Sequence, residues 1–116
     1  MKVVYVAGAY RSGKGEHYVL DNILKARDIA RQLWLQGYAV ICPHANTLLM
    51  GGDDIPDSTF LKGDLLFLER ADMVVMLPGW GLSKGATAEF DYATALGKEV
   101  RMWSDDQGLL NSPCPL

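Results

Sequence analysis

This sequence of 116 residues is short of several things at once, and each shortage excludes a class. There are only two cysteines, Cys42 and Cys114, far apart in the chain. Two isolated thiols fit neither a disulfide framework nor a zinc site, and they read as a reducing, cytoplasmic setting. Basic charge is not in excess: 11 Lys and Arg stand against 14 Asp and Glu, a net −3. That balance argues against a partner that is a nucleic-acid polymer. No apolar run approaches the ~18–20 residues of a membrane span, so no membrane partner is expected. The opening Met1–Tyr5 reads as a strand and not as a signal peptide. Internal repeats and low-complexity stretches are missing. So is any cluster of metal-ligand residue types, and neither a metal nor an organic cofactor is implied. The length leaves no room for a second domain, and residues 1–116 read as one.

What is present is an ordinary globular composition, 49% hydrophobic and 22% charged, enough for a core without staples. Lys2–Ala7 (KVVYVA) reads as a buried strand ending at Gly8. Gly8–Gly15 is a glycine-rich loop. From about His17 to Gln36 the pattern is helical, with Ile23, Ala26, Ile29, Ala30 and Leu33 on one face. Gly37 is placed as a C-terminal cap. Tyr38–Cys42 is a second strand, stopped by Pro43, and His44–Asp57 is a polar loop. Asp57 or Ser58 is placed to cap a helix over about Phe60–Arg70. Met73–Leu77 is a third strand, Gly79–Ser83 a second glycine-rich loop, and Lys84–Leu96 a third helix closed by Gly97. Glu99–Trp103 is a fourth strand. The remainder shows no periodicity.

Alternating strands and helices with continuously apolar strands predict a doubly wound parallel sheet covered on both faces, a three-layer α/β/α sandwich. The simplest strand order is 2-1-3-4. Ligands in such sheets bind beyond the carboxyl ends of the strands where the winding reverses. Here that crevice lies between strands one and three, lined by the loops Gly8–Gly15 and Pro78–Gly85.

GAYRSGKG resembles a phosphate-binding P-loop, but the residue after its lysine is Gly15 where a Ser or Thr should hold Mg²⁺. Asp72 opens strand three, whereas a metal-binding Asp should close a strand. This end of the chain is locally basic, with Lys2, Arg11 and Lys14, and suits a single phosphate group near a helix start.

Glu89 falls in the first turns of the third helix, just after the second glycine-rich loop. The helix dipole favours its anion there, and a carboxylate at a switch point can act as a nucleophile. A solvated helical glutamate is the plainer alternative. Asp64 sits in the middle helix among LLFL, either on the polar face or in chemistry. Tyr5 is mid-strand, where a buried phenol needs a partner for its hydroxyl. Two carboxylates meeting in one pocket are the tools of glycosyl transfer.

Three stretches together resemble a known superfamily: VVYVAGAYR, GDLLFLERADMVVML and SKGATAEFDYATALGKEV. The chain is similar over about Lys2–Trp103 to the nucleoside 2-deoxyribosyltransferase-like superfamily. It is closest in pattern to the 2-deoxynucleoside 5-phosphate N-hydrolases. The resemblance implies a flavodoxin-like fold, with a sheet of four or five strands. It implies Glu89 as nucleophile on the sugar C1′, Tyr5 as the phenol orienting it, and Asp64 as the group assisting departure of the base. It reads Asp72 as structural. The transferases carry an Asp six residues before the nucleophile, where this chain has Ser83, as the N-hydrolases do. Arg11 matches their phosphate-facing arginine. The Gly85 backbone beside Ser83 would accept the phosphate, and Gly8 of the first loop is a further substrate-binding candidate. His44, Trp80 and Tyr10 are weaker candidates for substrate contact, each with a plain structural alternative.

The expected function is cleavage of the base–sugar bond in a (deoxy)nucleoside 5′-monophosphate through a glutamate glycosyl-enzyme. The alternatives are deoxyribosyl transfer between bases and a non-catalytic nucleotide-binding module. The presence of both Glu89 and Tyr5 tells against the module. A homodimer or higher homo-oligomer is expected, from the small residues Ala86, Ala88, Ala93 and Ala95 and from Phe90 and Tyr92 on the third helix. Ser104–Leu116 is expected to lack an element of its own and to be free to reach a neighbour, with Asn111 and Ser112 as its polar groups.

Overall fold

A computed structural model describes residues 1–9, 16–47, 50 and 54–113; within 16–18 and 111–113 it describes the backbone alone. Five strands form one sheet: β1 (Val3–Ala7), β2 (Ala39–Ile41), β3 (Met73–Met76), β4 (Glu99–Ser104) and β5 (Gly108–Pro113). Their order is β2-β1-β3-β4-β5. The first four are parallel, with Tyr5 opposite Ile41 on one side and Val74 on the other. This is the expected 2-1-3-4 arrangement extended by one strand.

The helices are α1 (Glu16–Leu35), α2 (Pro43–Asn46), α3 (Asp57–Arg70) and α4 (Lys84–Ala95). Because strand side chains alternate, the sheet has two separate cores. Val4, Val6, Met73, Val75 and Leu77 face α1, whose Ala26, Ile29 and Leu33 cover them. Tyr5, Ala7, Val74, Met76 and Val100 face α3 and α4, through Leu68, Ala86, Phe90 and Ala93. Period two therefore directs Tyr5 toward the two helices that carry Asp64 and Glu89. Gly37 follows α1 at φ 97°, the left-handed conformation that ends a helix.

Four expectations need correction. The tail from Gly108 is not without structure: it returns as β5, antiparallel to β4, with Trp103 opposite Leu109. The turn is built locally, Ser104 Oγ accepting from the backbone N–H of Asp106 and Gln107, with Gly108 at φ 73°. Its strand character comes from a partner and not from an apolar pattern of its own. Pro43 starts α2 where the sequence suggests only a strand stop, since proline suits a first helical turn. α3 begins at Asp57 behind Pro56, a turn earlier than expected. Finally, Ala86, Phe90 and Ala93 are spent in the chain's own core, at 1%, 7% and 0% exposure, so they offer no docking face. Most of the large exposed apolar side chains described lie instead on α1 (Leu20, Leu24, Trp34, Leu35) and α3 (Leu61, Leu65, Leu66, Phe67), with Met1, Met50, Leu82 and Leu96 elsewhere. Among the described residues no helix is long and apolar enough to cross a membrane.

Candidate active site

Tyr5 is fully buried in the middle of β1. Glu89 lies on α4 three residues after Ala86 and four before Ala93, both buried, so helical spacing turns it inward. The two meet: the Tyr5 hydroxyl donates to Glu89 Oε2 across 84 residues of sequence. Burial pushes the Glu89 carboxyl up to about 7; the Tyr5 hydrogen bond pulls it down and the nearby Asp64 charge pushes it up. Burial, the Glu89 carboxylate and the more distant Asp64 together drive the Tyr5 phenol far above its ordinary value. It therefore stays protonated and remains a donor. Asp64 is half-buried in α3, and burial raises its carboxyl to about 6. Leu68, one turn on, anchors that face of α3 in the core. Two acids titrating near neutrality, one held by a phenol, can share a proton and exchange roles.

The start of α4 is capped by Ser83, whose Oγ accepts from the Ala86 N–H at 3.2 Å. A hydroxyl that accepts there keeps its own proton to donate. Gly85 is exposed in the first turn of α4. Trp80, in a 3-10 turn over Trp80–Leu82, stacks on Phe90 with ring centroids 4.6 Å apart and 28° between planes. Its support is thus the same helix that carries Glu89. Phe90 is a residue that the sequence alone assigned to an interface; its signal was the pairing of a loop tryptophan with an aromatic at helical spacing from the buried alanines. Asp72 accepts from the Val3 N–H at 2.8 Å, at the amino end of the sheet and away from the site. Gly8 follows β1 and packs on Leu77. His44 is buried in α2, with Nε2 3.0 Å from the Ala9 carbonyl oxygen. Tyr10 and Arg11 lie outside the described residues, as does Cys114.

A concavity of about 950 Å³ lies elsewhere on the described surface. It runs along the β2 edge between α1 and α3, lined by Leu24, Arg27, Trp34, Ile41 and Phe67 among others. It includes none of Tyr5, Asp64 and Glu89, and size is a poorer guide to chemistry than their convergent polar groups. No group of three His, Cys, Asp or Glu suited to a metal ion occurs among the described residues.

Residues 2–102 match a family described as a domain of unknown function, DUF4406. The chain belongs to that family. No curated protein matches this DUF4406 chain. Solved structures share its fold. A 2-deoxyribosyltransferase from Bacillus psychrosaccharolyticus aligns with a TM-score of 0.62 at 23% identity, over 94% of this chain and 77% of its own. A 2-desoxiribosyltransferase from Leishmania mexicana gives 0.59 at 15%, over 99% and 82%. A conserved protein from Enterococcus faecalis V583 gives 0.59 at 20%, over 90% of this chain and 65% of its own. The DUF4406 chain thus has the α/β fold of these 2-deoxyribosyltransferases.

Proposed function

We propose that this DUF4406 domain cleaves the N-glycosidic bond of a (deoxy)nucleoside, with Glu89 as nucleophile. The observation that carries the reading is the buried Tyr5–Glu89 hydrogen bond with Asp64 close enough to raise the Glu89 acid. Tyr5 holds Oε2, and Oε1 attacks the sugar C1′. The C1′–N bond breaks as the ester forms, its electrons pass to the base, and the protonated Asp64 supplies the base's proton. Water then attacks C1′ while the Asp64 carboxylate takes its proton, and Glu89 leaves as a carboxylate.

The preferred substrate on this reading is a 5′-monophosphate. Ser83 in place of an acid removes a charge that would repel phosphate, and its hydroxyl proton and the first amides of α4 supply donors. Charge-assisted hydrogen bonds of ~1.5–3 kcal/mol each predict a preference of roughly 10²-fold or more over the free nucleoside. A second reading is base exchange, deoxyribosyl transfer to another base; the shared fold with two 2-deoxyribosyltransferases favours it. The test is a panel of nucleosides and monophosphates, each with and without a second base. Release of free base and sugar phosphate supports hydrolysis, and a new nucleoside supports transfer. Neither product from any substrate refutes the reading.

The reading includes a homodimer or larger homo-oligomer. Its support is the exposed apolar set on α1 and α3, of which Leu24, Trp34 and Phe67 line one concavity. Sedimentation at micromolar concentration is expected to give at least a dimer; a fully active monomer would refute that part.

A further inference from the structure

The carboxyl end of β1 is held from two sides, and one of the holders has no part in the reaction above. On the β3 side, Gly8 lies against Leu77. A Cβ built on Gly8 would stand 2.7 Å from Leu77 Cδ1 and 2.8 Å from its Cβ, so only glycine fits. The Leu77 N–H donates to the Ala7 carbonyl at 2.8 Å. On the other side stands His44, 5% exposed, with Nε2 3.0 Å from the Ala9 carbonyl oxygen. A carbonyl only accepts, so Nε2 carries the proton. α2 is itself fixed, because the N–H groups of Ala45 and Asn46 both donate to the Cys42 carbonyl where β2 ends.

We infer that His44 is a positioning residue: through the Ala9 carbonyl it sets the peptide plane at which the chain leaves β1, and so the shape of the substrate crevice between β1 and β3. This rests on the proposed reaction for its consequence and not for its geometry. The ring is buried and committed to Ala9, which suits support better than substrate contact. A held carbonyl fixes its whole peptide unit, since the unit is planar. The pairing also ties α2 to the chain leaving β1 independently of the Tyr5–Glu89 bond, whose tyrosine lies in the core under α3 and α4. His44 therefore acts on substrate binding and leaves the reacting groups where they are.

Kinetics and spectroscopy test this together. His44→Leu removes the donor at similar volume, and it is expected to raise KM by about tenfold or more with little change in kcat. His44→Gln places an amide N–H near the same carbonyl and is expected to recover most of the loss. KM unchanged in His44→Leu, or a fall in kcat at constant KM, would overturn the inference. Should His44→Leu fail to fold, the native protein still decides. Long-range ¹H–¹⁵N spectra in a His17→Gln background read one histidine alone, and they are expected to show the Nε2–H tautomer. An Nδ1–H tautomer would overturn the clamp. Native protein with no base release would count against the reaction, while the tautomer would still rule on the clamp.

Discussion

Two acids, Asp72 and Glu89, bind the same sheet in different ways. Asp72 is exposed at the amino end of β3 and accepts a backbone N–H from Val3. Glu89 is half-buried over the face of β1 and accepts from a phenol that water does not reach. Asp72 ties two strands together and keeps its solvent. Glu89 gives up solvent, and its carboxyl rises to about 7 as a result. A carboxylate placed for stability is given a donor and left wet. One placed for reactivity is dried, oriented and set near a second acid.

The sharpest way to break that comparison is to remove each acid in turn. Glu89→Gln keeps size and an acceptor for Tyr5 but removes the attacking charge. Base release is expected to fall by about 10³-fold or more, a loss of ~4 kcal/mol in transition-state stabilisation. Asp72→Ala is expected to leave kcat/KM within about twofold. Equal losses in the two variants would mean that both acids are merely structural.

Asp64 comes next. Its acid, raised to about 6, and that of Glu89, raised to about 7, titrate as a pair. The active form carries one proton between them; most of that population holds it on Glu89, and the reacting fraction is the one with Glu89 ionised and Asp64 protonated. A bell-shaped dependence of kcat/KM on pH is therefore expected, centred between these values. Asp64→Asn should cost roughly 10²–10⁴-fold, the usual worth of a proton donor. It also removes one of the two titrating acids, so the alkaline limb of the bell should disappear. An alkaline limb that survives would mean that it does not belong to the Asp64–Glu89 pair.

How much of this arrangement the sequence reveals depends on the range of the interaction. Alternating βαβ units, with Ile23, Ala26 and Leu33 on one helical face, are local patterns, and they suffice for the parallel sheet and its order. β5 is not local, because GLLNSP has no alternation and takes its form from β4. Pro43 misleads because one residue type both stops strands and starts helices. For the site, position along the elements is legible but direction across the sheet is not. Tyr5 on β1 and Glu89 on α4 are each visible, yet their meeting depends on which face Tyr5 takes. The resemblance to a known superfamily supplied the pairing before the geometry did. His44 shows the same limit: its ring is visible after β2, and its turn toward Ala9 is not.

Tyr5→Phe sharpens the comparison from the donor's side. It leaves the ring packed and takes away a hydrogen bond to a charged group, worth ~1.5–3 kcal/mol. Base release should fall by roughly 10–150-fold. The Tyr5 bond holds the Glu89 acid down, so its loss should move the Glu89 ionisation to higher pH. Asp64→Asn instead removes a limb, and the two profiles together identify which group is Glu89.

The smallest effect is on stability, and there the two acids should change places. Glu89 has an ordinary value of 4.5 and rises to about 7 on folding. A raised acid binds its proton more tightly in the folded chain, so its contribution is complete below about pH 4.5 and is lost as pH rises through about 7. At pH 8 the folded protein carries a buried charge that opposes folding, by at most about 3 kcal/mol and less because Glu89 is not wholly sealed from solvent. Glu89→Gln removes that charge, and its Tm at pH 8 should exceed that of the native protein; at pH 4 the advantage should vanish. Asp72→Ala leaves the Val3 N–H without its acceptor at a cost of about 1 kcal/mol, a Tm lower by roughly 4–8 °C. The inactive variant should thus be the more stable at pH 8 and the active variant the less stable. Melting curves of both at pH 4 and pH 8 decide the matter, because a Glu89→Gln Tm at or below the native value at pH 8 would mean that Glu89 supports the fold as Asp72 does.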